Sequence, residues 1–267
     1  SSADAPGVLV MGDAGYPFAA VNAARIDGLF ISGTAVGGGV MVHTKAHYLQ
    51  ISNNRMKGNN GSYSGGISVG TPGEGVSAEN DHVLIRYNEI LKNSSAGRAG
   101  ISGAGGVGLF TGADDYEVSD NIIQGNLATA NGAGIAHIGL SQRGRILRNK
   151  ILFNEAVSDT PGFGSGGGIF VSGDTVAGAL THGAGTLTID GNLIQGNLSG
   201  ASHGGGIRVE TFNGQDVTAF PGNANKWNAL YLFNNMIVNN VAGYAGAGIS
   251  LQDVARGIII HNTVANN

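Results

Sequence analysis

Apolar and polar positions along this chain recur in a fixed order. Asn residues come in pairs five apart: Asn54 with Asn59, Asn88 with Asn93, Asn121 with Asn126, Asn149 with Asn154, Asn192 with Asn197, Asn235 with Asn240 and Asn262 with Asn267. Three residues before each first Asn stands an apolar residue: Ile51, Ile85, Val118, Ile146, Ile189, Leu232 and Ile259. Two residues after it stands another: Met56, Ile90, Ile123, Ile151, Ile194, Ile237 and Val264. A degenerate eighth copy precedes these, with Ile31, Thr34, Val36 and Gly39 in the equivalent places. A second block follows most copies, as Gly39-Val40-Met41-Val42, Gly66-Ile67-Ser68-Val69, Gly168-Ile169-Phe170-Val171, Gly206-Ile207-Arg208-Val209 and Gly248-Ile249-Ser250-Leu251. Within each block apolar residues alternate with others, the period of a half-buried strand.

Successive first Asn residues are 34, 33, 28, 43, 43 and 27 residues apart. Constant strand registers with variable insertions describe a solenoid, in which each repeat packs only on its neighbours. Helical periodicity is absent between the strands, so the pattern predicts an all-β parallel β-helix. It has about three short strands in each of about eight coils, and is right-handed by the general preference of parallel crossovers. The solenoid is expected over residues 29–267 as one domain, with residues 1–28 as an N-terminal cap or lead-in segment.

The paired Asn residues suit the corners of such coils. An amide offers one acceptor and two donors to backbone groups that a bend removes from the ladder, and stacked Asn residues bond to one another. Asn also tolerates the left-handed backbone that corners use. Gly-Gly ahead of each Ile-x-Val strand admits a tight bend and close approach between coils.

Composition narrows the function classes. With 48 Gly but only 5 Pro among 267 residues and no G-X-Y period, a collagen is excluded. Charged residues make up 12% and the formal net charge is −4, which gives nucleic acid no electrostatic footprint. No apolar run is long enough for a transmembrane helix, and the absence of Cys excludes a disulfide framework and thiol catalysis. No cofactor motif occurs, and His43, His47, His137 and His203 are expected as scattered surface residues rather than a metal site. The sequons at Asn93 and Asn197 use ladder positions, which should point inward.

The Asn-x-Ile-x-x-Asn and Gly-Gly-Ile blocks resemble the right-handed parallel β-helix superfamily of pectate-lyase-like enzymes and secreted surface proteins, and more loosely the repeats of autotransporter passengers. That resemblance implies an extracellular or cell-surface setting and binding or cleavage of polysaccharide. Of the polygalacturonase-like motifs, Asp114-Asp115 and His203-Gly204 are present, but Asn-Thr-Asp and Arg-Ile-Lys are not. The Asp-Pro-His of alginate epimerases is absent as well.

Candidate sites follow from what the repeat leaves over. Asp114-Asp115 is either a pair of carboxylates for acid–base work or a solvated turn. Asp120 and Arg148 should pair across adjacent coils. The middle residues of the Ile-x-Val strands, among them Phe170 and Arg208, should form an outward stack, where Arg208 beside Phe170 can clamp a sugar carboxylate or simply keep a flat sheet soluble. Two adjacent 43-residue coils carry long insertions expected to lie side by side. One holds Asp174 and His182, and the other holds Glu210, Phe212, Asp216, Phe220, Lys226 and the single Trp227. A third insertion, Gly70 to His82, holds Glu74, Glu79, Asp81 and His82 several coils away.

Two functions remain. One is a non-catalytic adhesion, carbohydrate-binding or structural rod, with Phe170, Arg208, Phe212, Lys226 and Trp227 facing polysaccharide or a cell-surface glycan. The other is a lyase or glycoside hydrolase acting on an acidic polysaccharide, drawing its acid from Asp174, Glu210 or Asp216 and its base or charge stabiliser from His182, Arg208 or Lys226. The repeat ends at Asn267 without a closing cap, so the open coil is expected to meet further chain or another protomer.

Overall fold

The computed structural model describes residues 5–13, 15, 18–72, 79–96, 103–158, 164–173 and 180–267. Its named strand pairs are parallel and form four sheets, three of eight strands and one of six. The chain is therefore a parallel β-helix of eight coils. In the sixth coil, Ile169–Ser172 belongs to the sheet of Gly-Ile strands and Leu187–Asp190 to a sheet ahead of the first ladder Asn. Leu193–Gln195 belongs to a sheet between the two Asn residues, and Leu198–Ser199 to a short sheet after the second. We call these the Gly-Ile, pre-ladder, inter-ladder and short sheets. Six of the eight coils carry four strands rather than the expected three, because a two-residue strand is too short to show alternation in sequence.

Alternation decides the core. Ile51, Ile85, Val118, Ile146, Ile189 and Leu232 stack inward from the pre-ladder sheet. Met56, Ile90, Ile123, Ile151, Ile194 and Ile237 do the same from the inter-ladder sheet. Each such side chain contributes roughly 1.5–3 kcal/mol by leaving water. The glycine column ahead of the Gly-Ile strands lets the coils approach: a Cβ on Gly168 would lie 2.5 Å from the Gly206 carbonyl oxygen.

Both Asn columns are continuous. Asn121 donates from its backbone N and its Nδ2 to Asn149 Oδ1, each at 3.0 Å, and from Nδ2 to the Ile85 carbonyl at 2.9 Å. The first column runs on through Asn192 and Asn235 to Asn262. The second column repeats the pattern, as in Asn126 to Asn154 and Asn154 to Asn197. Asn197 then donates from N (3.0 Å) and Nδ2 (2.9 Å) to Asn240 Oδ1. Asn240 is fully buried and donates in the same way to Asn267 Oδ1, at 2.9 and 2.8 Å. Only the final rung is less enclosed, with Asn262 half-buried and Asn267 exposed.

Asn93 and Asn197 are buried within the second column, so both sequons point inward. The left-handed residue is not the ladder Asn but its predecessor, as at Asn53 (φ 56°), Tyr87 (58°), Asp120 (56°) and Arg148 (52°). The bend falls one residue early, which turns the following Asn side chain into the core. Arg148 and Asp120 form the expected pair, with bonds of 2.9 and 2.7 Å.

Three other expectations need correction. In the degenerate first copy Thr34 takes the second ladder place: its N and Oγ1 both bond Asn59 Oδ1, while the Leu29 N meets Asn54 Oδ1. Pairing of Ile31 with Met56 fixes that register, so apolar matching overrides the chain spacing. Residues 8–10 and 25–27, inside the segment read as a cap or lead-in, pair in register with Val40–Val42 and Gln50–Ser52. His137 is not a surface residue. It is fully buried, with Nδ1 2.7 Å from Tyr116 Oη and Nε2 2.7 Å from the Ala184 carbonyl. Burial lowers its pKa from 6.5 to about 4, and the neutral ring donates from Nε2 while Nδ1 accepts from Tyr116. Burial likewise pushes the Tyr116 hydroxyl up.

Candidate functional site

Coil length varies most at the corner between the Gly-Ile and pre-ladder sheets. Inward apolar residues hold the sheets on both sides of it, so what the chain places there is free of the ladder. In four successive coils this corner carries Tyr48, His82, Asp115 and Arg143 at left-handed φ of 60°, 59°, 57° and 59°. Backbone bonds from Tyr48 N to Asp81 O, His82 N to Asp114 O and Asp115 N to Gln142 O stack the four turns in register.

The side chains form a ridge. The Tyr48 and His82 rings stack with centroids 4.5 Å apart and planes 8° from parallel. His82 Nε2 lies 3.9 Å from Asp115 Oδ2. Arg143 then grips Asp115 bidentately, Nε to Oδ1 and Nη2 to Oδ2, both at 2.7 Å. The Arg143 hydrogen bonds hold the Asp115 carboxyl below the usual carboxylate range and raise the guanidinium in turn. Behind the ridge, His47 Nδ1 sits 3.3 Å from Asp81 Oδ2, and Asp114 Oδ1 accepts the Gln142 N at 2.7 Å. Burial and then the nearby Asp114 charge raise the Asp81 pKa, although the His47 partner opposes this.

Beside the ridge lies an open depression of about 180 Å³, lined by Ala20, Ala23, Tyr48, Gln50, His82, Leu84, Asp115 and Arg145. Its floor is the outer face of the pre-ladder sheet, where Gln50, Leu84, Glu117 and Arg145 are register partners. Arg145 is held there by Glu117 at 2.9 Å. The surface thus offers stacked rings, an apolar floor patch and amide and guanidinium donors. Among the described residues no group of three or more His, Asp or Glu side chains is arranged to hold a metal ion.

The insertions of the two 43-residue coils do lie side by side, as the shared corner requires. Gln215 N donates to Thr181 O at 2.9 Å, and Asn228 Nδ2 reaches His182 O at 3.4 Å. Their side chains are committed, however. Phe212 is fully buried in the core, and Phe170 is buried on the Gly-Ile sheet, 2% exposed, where the preceding turn at Gly166 folds against its Cβ. Arg208 is buried too, bonding Glu210 Oε2 through Nε (2.9 Å) and Nη2 (2.7 Å), Ser250 Oγ through Nη1 (2.8 Å) and Gln252 Oε1 through Nη2. The expected outward stack is therefore closed over at Ser68, Ala136, Phe170 and Arg208.

Asp216 is a loop anchor. It accepts from Gly214 N (2.7 Å), Asn228 N (2.6 Å) and Asn213 Nδ2 (2.9 Å). Burial penalises its charge, and these donors outweigh the penalty and lower its pKa. Trp227 spends its Nε1–H on the Phe220 carbonyl at 2.7 Å, pinning its own loop. Lys226 and His182 are exposed, whereas Asp174 and Glu74 lie outside the described residues.

Sequence reasoning thus weighted the two longest insertions and set aside the ridge. The missed signal was in the ladder itself. Counting six residues back from Asn54, Asn88, Asn121 and Asn149 gives Tyr48, His82, Asp115 and Arg143. Comparison with known proteins adds no name to this geometry. No protein-family model matches the chain, and neither the curated proteins nor the solved structures contain a match.

Proposed function

We propose that this is a secreted or cell-surface β-helix that binds glycan without cleaving it, and that the depression beside Tyr48 and His82 seats the sugar. The observation that carries the reading is the stacked ring pair standing over a polar floor, next to a carboxylate already neutralised by a bidentate Arg143. Sugar rings pack their C–H faces on aromatic surfaces, and Gln50 and Arg145 supply hydrogen bonds that orient them. The depression is smaller than the ~300 Å³ lower bound of drug-sized pockets, which suits one sugar unit with the rest of the polymer lying along the flat sheet.

One observation favours a second reading, a polysaccharide lyase or glycoside hydrolase. The corner holds one carboxyl pushed up, Asp81, close to one pushed down, Asp115. Environments that drive two pKa values apart are the signature of acid–base pairs. Against it, Asp115 has both oxygens on Arg143, and Asp81 does not line the depression. A panel of acidic and neutral polysaccharides, read by retention and by new reducing or unsaturated ends, decides between them. Retention without new ends is the expected result. New ends that vanish in Asp81→Asn would establish the enzyme, and neither retention nor cleavage would overturn both readings.

A further inference from the structure

Most guanidinium groups on this molecule are paired. Arg25, Arg55, Arg143, Arg145, Arg148 and Arg208 each have a carboxylate within 4 Å. Arg256 instead donates to the Ala224 carbonyl at 3.1 Å. Arg86, beside the depression, has no carboxylate partner among the described residues. Its one hydrogen bond is a long one, Nη2 to Gln50 Oε1 at 3.4 Å, and its Nε is buried with no partner. Asp27, two rungs up the same row, feels the Arg86 charge but is committed to Ser52 and Asn53 and to its ion pair with Arg25. The Tyr87 ring lies 5.9 Å from the guanidinium carbon, a cation–π contact that uses none of its N–H donors.

The location gives this unspent guanidinium its meaning. Leu84 and Arg86 alternate with the inward Ile85, so both face outward from one strand, and Leu84 lines the depression. Gln50, the residue that Arg86 touches, lines it as well. With Nε enclosed and Nη2 held only by one long contact, the terminal Nη1–Nη2 edge of this guanidinium is shaped for two parallel bonds to an oxyanion, and a half-buried site strengthens them.

From this we infer that Arg86 is the anchor for an anionic group on the bound glycan, a carboxylate or a sulfate ester. The ligand of the depression is then an acidic polysaccharide, with Arg86 as the residue that selects it over a neutral one. Gln50 is released from its weak contact and becomes free to bond a sugar hydroxyl. This inference rests on the glycan-binding reading, and its test separates the two.

Three oligosaccharide probes of equal length are titrated calorimetrically: a uronate, its methyl ester and a sulfated neutral chain. The wild type is expected to bind the uronate or the sulfated chain at least about tenfold more tightly than the ester, the size of one charge-assisted bidentate contact. Whichever anion wins identifies the group. Arg86→Gln should bring that ratio close to one, and Arg86→Lys should restore only part of it, because an ammonium lacks the planar fork. Melting temperatures of both variants confirm that the coil is intact. Equal binding of all three probes by the wild type would overturn the anionic anchor while leaving glycan binding in place, as would a ratio unchanged in Arg86→Gln. Failure to bind any probe would overturn the glycan reading with it.

Discussion

Two stretches of the same corner use the same ingredients differently. Around Arg208 and Trp227, the polar groups that sequence reasoning offered to a ligand are largely bound by the protein itself. Arg208 bonds Glu210, Ser250 and Gln252, Asp216 binds three donors, and Trp227 holds the Phe220 carbonyl. Around Tyr48 and His82, several coils earlier, the rings stack in the open, Asp115 is neutralised, and Arg86 keeps unused donors. A long insertion must satisfy its own backbone, since it leaves the coil-to-coil ladder, and it recruits nearby side chains to do so. Tyr48, Asp115 and Arg143 stand on short corners, and His82 stands where the Gly70–His82 insertion has rejoined the ladder, so the ridge backbone is satisfied from coil to coil and its side chains remain available. The unspent groups lie where the chain keeps to its repeat.

The largest test of the comparison removes the frame both regions share. Asn149→Leu strips the acceptor from Asn121 N and Nδ2 and deletes donors to Val118 O and Asn192 Oδ1. A loss of about 3 kcal/mol is expected, since each orphaned buried group costs ~1–3 kcal/mol. Chemical denaturation should show it, and the depression and the Arg208 region should both loosen in hydrogen exchange.

A second test should separate the regions by pH. His137 has a folded pKa of about 4 against 6.5 in the unfolded chain, so between those values the unfolded state binds a proton that the native state lacks. Its stability contribution is therefore full above pH 6.5 and is lost as pH falls toward 4. The slope approaches about 1.4 kcal/mol per unit and the total is about 3 kcal/mol. His137 Nε2 holds the Ala184 carbonyl, at the base of the insertion that carries His182. Acid should thus speed exchange of amides 180–186 before those of the Tyr48 turn. His137→Gln, which cannot titrate, should abolish that order.

Smaller still is Arg208→Ala. It should cost about 1–3 kcal/mol through lost charge-assisted bonds, while glycan affinity stays within about twofold because the side chain is buried away from the depression. Trp227→Phe removes one hydrogen bond and should cost only about 0.5–1.5 kcal/mol. An affinity loss from either that exceeds the loss from Tyr48→Ala would reverse the comparison.

How much of this was legible in the sequence follows from the same division. The ladder, the inward Ile columns and the Gly column are repeated from coil to coil, and repetition made the parallel β-helix readable without coordinates. Asn240 shows how far that reaches: its place in the second column follows from spacing alone, and its bonds to Asn197 and Asn267 are those the repeat requires. The Asp120–Arg148 pair was readable because it occupies a ladder-adjacent position. The fate of Arg208 was not read, since its partners Ser250 and Gln252 belong to the next coil, although the turn that closes over it recurs as Gly132, Gly166, Gly204 and Gly246, each at a left-handed φ four residues before the side chain it covers. Phe212 carried the same ambiguity. An aromatic inside a long insertion reads as a platform, and only the path of the loop back to the core shows that it is buried. His137 occupies an inward position of an Ile-x-Val-type strand, where its hydrogen bonds to Tyr116 and Ala184 replace apolar packing.

The most direct measurement is a paired one: the affinity of Tyr48→Ala and of Trp227→Ala for the polysaccharide that the wild type retains most strongly, with both variants checked for an unchanged melting temperature. The account predicts a loss of at least about tenfold for Tyr48→Ala, the scale of a lost aromatic anchor, and less than about twofold for Trp227→Ala. The opposite order would move the site to the long insertions and contradict the claim that the ridge beside the depression is the binding surface.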